Sequence, residues 1–111
     1  NTKNDISNNR ITMNESDIKS LLIPNRLDVY PTPANELVNI SFSLKTTGNV
    51  RINIYDILGK EISSVINNQY VESGQYTKEI NISDLSSGLY KIVLITSDGE
   101  VINKNIVIAK R

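Results

Sequence analysis

The chain of 111 residues carries twelve basic and twelve acidic side chains and contains neither cysteine nor histidine. This length allows one small domain, and a balanced charge without a Lys/Arg-dense run argues against a nucleic-acid-binding surface. The missing residue types remove disulfides, thiol nucleophiles, Ser-His-Asp chemistry and the common zinc ligands, so we expect no enzyme and no cofactor. No apolar run approaches the roughly 18 residues that a membrane span requires.

The N-terminal part of the chain differs in composition from the rest. Residues 1–25 are rich in Asn and Ser and poor in aromatic residues. This composition is typical of a linker or a tail that follows a preceding domain. We therefore predict a folded domain over residues 26–111.

From residue 27 onward apolar residues alternate with polar ones, which predicts strands that have one face on a core. "VNISFSL" and "VRINIY" show the pattern most clearly, and "LYKIVLI" is apolar at nearly every position. Seven strands are predicted, at about 27–30, 36–44, 49–56, 61–66, 76–82, 88–96 and 101–109. Short strands separated by turns at this spacing predict an all-β, immunoglobulin-like sandwich of two antiparallel sheets. The predicted core contains Val38, Ile40, Phe42, Ile52, Ile54, Ile80, Ile82, Leu85, Tyr90, Ile92 and Leu94.

The stretch "DLSSGLY" before the sixth strand predicts a corner between the two sheets. In immunoglobulin-like sandwiches a tyrosine near the start of that strand bonds to backbone a few residues upstream. Tyr90 fits this role, with Leu85 packed on the core beneath the turn and Gly88 allowing the chain to turn sharply. A ligand-binding role for Tyr90 is the minority interpretation.

Two other connections are marked by proline and glycine. Pro31 and Pro33 follow Tyr30, and because proline cannot donate to a sheet ladder they predict a rigid start of a strand at a sheet edge. Gly59 in "DILGKE" predicts a tight hairpin with a positive φ.

Charged residues allow two further interpretations. Asp56, Asp84 and Asp98 lie in predicted loops, where carboxylates can hold calcium, but without calcium-loop spacing solvated turns are favoured. Lys104 and Lys110 make the C-terminal segment basic, and a lysine in an edge strand commonly prevents edge-to-edge pairing.

These marks, in this order, resemble the type A C-terminal sorting domains of the type IX secretion system. The resemblance rests on "VYPTPANELVNISF", "VRINIYDILGKEI" and "INISDLSSGLYKIVLITSDGEVINKNIVIAK", which together cover residues 27–111. The family usually has asparagine between the two prolines, where this chain has Thr32. The residues that match the family motifs are Tyr30, Pro31, Pro33, Gly59, Leu85, Gly88, Tyr90, Lys104 and Lys110.

The resemblance implies a sorting signal at the end of a secreted or cell-surface protein. Its partners would be an outer-membrane secretion translocon, a sortase-like protease that removes the domain, and a covalently attached cargo that precedes it. The alternative is a fibronectin-III-like or carbohydrate-binding accessory module of a secreted enzyme. A glycan site needs exposed aromatic rings, and with no tryptophan in the chain Tyr55 is the best candidate for it.

Overall fold

The computed structural model of the protein describes residues 24–110, so the linker expected over residues 1–25 lies almost wholly outside the described residues. All predicted strands are present, and all but the fourth begin and end within two residues of their predicted bounds. Residues 24–110 contain no apolar helix of membrane-spanning length. The strands are β1 Arg26–Tyr30, β2 Leu37–Leu44, β3 Gly48–Tyr55, β4 Glu61–Val71, β5 Gly74–Asn81, β6 Gly88–Ile95 and β7 Val101–Ile108.

The strands form two antiparallel sheets, as predicted. One sheet has the order β1-β2-β5 and the other the order β4-β3-β6-β7. The fourth strand pairs with the third, whereas in a constant-type immunoglobulin domain it pairs with the fifth. The connection from β5 to β6 crosses from one sheet to the other, which confirms the predicted corner.

The core lies between the sheets and is built from the inward residues of both. All the predicted core residues are buried except Ile80 and Leu85, which are partly buried and pack against the core. Ile80 lies near the end of β5, which is an edge strand, and Leu85 lies in the connection that follows β5. The core also includes residues that the prediction did not name: Leu27, Ala34, Leu44, Val50, Ile66, Ile106 and Ile108.

The predicted end of the fourth strand at residue 66 is wrong, because β4 continues to Val71. Three register shifts interrupt its pairing with β3, and Asn68 has a positive φ of 52°. Such bulges add residues to one strand only, so they destroy the two-residue period that marks a strand in a sequence. β5 begins at Gly74, two residues before its predicted start at residue 76.

Candidate recognition surface at one pole of the sandwich

The strand register places most of the motif residues at one pole of the sandwich. Tyr55 pairs with Lys91 and Gly88 pairs with Ile108, so β3 ends where β6 begins and β7 ends. A parallel bridge from Ala34 to Ile108 brings the β1–β2 connection to the same pole. We call this end the motif pole; it comprises the connections 31–36, 56–60 and 82–87 and residues 109–110.

The opposite end receives the polypeptide that precedes the domain. The Ser43 hydroxyl donates to the Pro24 carbonyl at 2.6 Å, and the Asn25 side-chain amide donates to the Glu100 carboxylate at 2.6 Å. The Asn25 side-chain oxygen accepts from the Lys45 N–H at 2.7 Å. These bonds fix the first described residues to two turns of this end, which we call the N-terminal pole; it comprises residues 24–25 and the turns 45–47, 72–73 and 96–100.

Two of the three loop carboxylates that were considered as calcium ligands, Asp56 and Asp98, bond within their own turns. The Asp56 carboxylate accepts backbone N–H bonds from Leu58 and Lys60, each at 2.9 Å. The Thr96 hydroxyl donates to the Asp98 carboxylate, and this bond holds the pKa of Asp98 below its ordinary value of 3.8. Within residues 24–110, no three acidic side chains come together in a group that could hold a metal ion.

A tight hairpin forms the most exposed part of the motif pole. Its ends are joined by bonds from the Asp56 N–H to the Lys60 carbonyl at 2.9 Å and from the Gly59 N–H to the Asp56 carbonyl at 3.0 Å. Gly59 has φ 85°, a conformation that other residues rarely adopt. The hairpin holds Ile57 and Leu58 in solvent, with 75% and 89% of their surfaces exposed.

The corner predicted at Tyr90 is present beside this hairpin. The Tyr90 hydroxyl donates to the Ser86 carbonyl at 2.8 Å, and its ring is buried. The turn is closed by a bond from the Leu85 N–H to the Ile82 carbonyl at 3.0 Å, and the Leu85 side chain packs against the core. Gly88, which starts β6, has φ 158°. The Tyr90 side chain thus joins the corner to the sheet through its hydroxyl, while its ring packs in the core.

The proline segment crosses from the end of β1 to the edge of β7. Both the Tyr30–Pro31 and the Thr32–Pro33 peptide bonds are cis. The Ala34 N–H donates to the Val107 carbonyl at 2.8 Å, and the Thr32 hydroxyl accepts from the Val107 N–H at 3.2 Å. The segment therefore covers the final part of the β7 edge with both backbone and side-chain atoms.

The two C-terminal lysines have different environments. The Lys110 ammonium donates to the carbonyls of Asn35 at 2.6 Å and Ile82 at 2.8 Å, and its backbone N–H donates to the Ser87 hydroxyl at 2.9 Å. Lys110 therefore ties together two connections of the motif pole. Lys104 lies in the middle of β7, where it pairs with Ile92 of β6, and its exposed side chain has no hydrogen-bond partner among the described residues.

A groove of about 360 Å³ joins two motifs that are distant in sequence. The hairpin supplies Asp56, Ile57 and Gly59, and β6 supplies Leu89 and Lys91. Leu89 is 44% exposed although its strand lies inside the sheet. The motif pole thus combines the 56–60 hairpin, a largely apolar groove and the ammonium of Lys91.

The tyrosines that could form a glycan platform are distributed over the molecule. Tyr55 lines the groove of the motif pole, and Tyr30 lies on the outer face of the other sheet. Tyr70 and Tyr76 line a separate groove between β4 and β5, where Tyr76 stacks on the buried Phe42 with ring centroids 5.3 Å apart.

A comparison with known protein families shows the family of this chain. The model of the secretion system C-terminal sorting domain matches residues 28–109, which include most of β1 and all later strands. The chain belongs to this family. A search of curated proteins finds no relative with a significant match. Type IX sorting domains are not an enzyme family, and they imply both a preceding secreted or cell-surface protein and a secretion machinery.

Some residues of this sorting domain acquire a role only in the structure. Thr32 stands at a position where sequence comparison shows only a departure from the usual asparagine, yet its hydroxyl accepts a bond from the β7 edge. Ile57 and Leu58 could have been found as two apolar residues inside a predicted hairpin loop. Asn25 has no signal in the sequence, because its partners are 20 to 75 residues away.

Proposed function

We propose that this sorting domain is an address label that directs the protein joined to its N-terminal side across the outer membrane. The observation that carries the proposal is the arrangement of the two poles. Most of the residues that match the family motifs gather at the motif pole, while the preceding polypeptide joins at the opposite pole. A cargo attached at the N-terminal pole leaves the motif pole free for an outer-membrane translocon.

The hydrogen bonds that hold the loops of the motif pole support this role. A recognition surface needs a fixed shape, since ordering loops during binding costs free energy. Here the hairpin is closed by the Asp56 carboxylate, the corner by Tyr90, and the C-terminal segment by Lys110. These bonds hold the connections of the motif pole to the sheets.

After export, a sortase-like protease at the cell surface removes the domain within residues 1–25. Cleavage there separates the cargo from the sandwich and leaves β1 to β7 whole. The mature cargo then stays on the cell surface or is released to the medium, and the domain has served as a substrate of the machinery.

A reporter fusion tests the address. The full chain is fused behind a signal peptide and a periplasmic reporter, and expressed in a host with a type IX system and in the same host without its translocon. We expect the reporter at the surface or in the medium of the first host only, while a reporter without the domain stays in the periplasm of both. Periplasmic retention of the fusion in the competent host would overturn the proposal and favour the accessory-module alternative.

The same fusion tests the removal of the domain. Mass spectrometry of the exported reporter is expected to show a new C-terminus within residues 1–25. An exported reporter that still carries the whole sandwich would contradict the removal and leave the address intact.

A further inference from the structure

One end of the β7 edge already binds an extended segment of the chain itself. The outward N–H and C=O groups of Val107 are bonded to Thr32 and Ala34, and the Ala109 N–H donates to the Ala34 carbonyl at 2.8 Å. The chain around Ala34 is parallel to β7, with which it forms a bridge at Ile108. This edge is therefore shaped to accept an additional strand.

Among residues 24–110, the outward backbone groups along the rest of the same edge have no hydrogen-bond partner, and we call this part the open edge. β1 of the other sheet packs close to β7 without bonding to it. Backbone groups point alternately to the two sides of a strand, so the N–H and C=O groups of Val101, Asn103 and Asn105 point outward like those of Val107. No described residue bonds to them. Asn103, Lys104 and Asn105 are all exposed, and Val101 is 57% exposed.

The other sheet edges are less suited to pairing. β1 has five residues and is followed by Pro31, and the pairing of β4 with β3 is interrupted by three register shifts. β5 is regular but carries the adjacent charges Lys78 and Glu79, which disfavour an added strand. β7 is paired with β6 without a break over eight residues. Its single charge, Lys104, restricts pairing to a segment that carries a carboxylate nearby.

We propose that the open edge of β7, from Val101 to Asn105, pairs with an extended segment of the secretion machinery; this rests on the function proposed above. Backbone hydrogen bonds to three consecutive outward residues would supply affinity. The chemistry of the edge defines the segment further: it carries apolar side chains beside Val101 and a carboxylate that reaches the free Lys104 ammonium.

Proline at an outward position tests this pairing without breaking the sheet. Asn103→Pro removes an N–H that β6 does not use and places a ring where the partner strand would lie. The matched control is Thr77→Pro on the β5 edge. The Ile82 N–H donates to the Glu36 carbonyl at 2.7 Å, so alternation along β5 places the Thr77 N–H outward as well.

Both variants are measured in the full-chain reporter fusion, after thermal unfolding of the isolated chain has shown that each is folded. We expect Asn103→Pro to lower export by about tenfold or more, and Thr77→Pro to leave it unchanged. If Asn103→Pro does not fold, Asn105→Pro replaces it with the same expectation. Lys104→Glu is expected to lower export and Lys104→Arg to retain it.

Equal export of the folded Asn103→Pro variant and the wild type would overturn the edge pairing while the address function stands. Failure of the wild-type fusion to be exported would overturn both. A wild-type dimer that Asn103→Pro dissociates would assign the edge to a second copy of the chain and overturn the assignment to the machinery. Hydrogen exchange adds an independent check, because protection of the Asn103 and Asn105 amides in the free monomer would show that the edge is closed.

Discussion

Replacing Lys110 with methionine tests whether the lysine at the motif pole holds the fold together. The change removes an ammonium that donates to the carbonyls of Asn35 and Ile82 and keeps an unbranched stem of similar length. The Ile82 carbonyl still accepts from the Leu85 N–H, but the Asn35 carbonyl loses the only described donor to its oxygen. A hydrogen bond from a charged group contributes about 1.5–3 kcal/mol, so one full loss and one partial loss predict destabilisation of about 2–4 kcal/mol.

The assay is equilibrium urea unfolding of the full chain, followed by circular dichroism. Lys104→Met is the matched control, since the exposed Lys104 has no described partner and its loss should change the free energy of unfolding by less than about 0.5 kcal/mol. A Lys110→Met variant as stable as the Lys104→Met variant would refute the reasoning. Because a change at Lys110 is expected to lower the stability of the fold, export tests of the basic C-terminal segment should change Lys104 alone.

Three further changes test other parts of the sandwich. Tyr90→Phe removes the hydroxyl that bonds the corner carbonyl and should lower the free energy of unfolding by about 0.5–1.5 kcal/mol; an unchanged urea midpoint would contradict the corner. Gly48→Ala would place a Cβ against the Cβ of Ser97 and 2.6 Å from its Oγ, so we expect a loss of about 1–3 kcal/mol, which Gly48→Ala combined with Ser97→Gly should reduce. The lowered pKa of Asp98, caused first by the Thr96 hydroxyl, stabilises the fold above pH 3.8, and this contribution is lost as the pH falls through the folded-state pKa. Asp98→Asn should flatten the pH dependence of unfolding in that range, and an unchanged slope would exclude the carboxylate as its source.

The fold was predictable where alternation is regular and unpredictable where the register shifts. β2 and β3 carry their core residues at strict two-residue spacing, which survives into the structure because each inward side chain meets the other sheet. The bulged end of β4 breaks that spacing, and Asn68 adopts a positive φ that sequence alone does not require. Propensity describes one strand at a time, whereas a bulge is set by pairing with a neighbour.

The surface was predictable only as a set of separate motifs. The sequence marks Gly59 and Tyr90 and indicates a turn at each, but it does not show that the hairpin and the corner line one groove. The sequence also does not distinguish the roles of Lys104 and Lys110, since both are basic residues near the chain end. Their difference depends on the Asn35 and Ile82 carbonyls, which approach Lys110 only after the two sheets have packed.

The placement of the motif residues suggests how a structural motif can act as an address. Three motif residues hold connections of the motif pole. Gly59 allows the positive φ of its hairpin, and the Tyr90 hydroxyl and the Lys110 ammonium are hydrogen-bonded within the domain, so they are not available to a partner. What they fix is the position of neighbouring groups such as the exposed hairpin tip. The open edge of β7 contains the motif residue Lys104, whose side chain has no described partner. The secretion machinery would then bind a surface whose conformation these motif residues maintain. A change at Gly59, Tyr90 or Lys110 should therefore lower export in proportion to the folding it disturbs, whereas a change at the open edge should lower export with the fold intact.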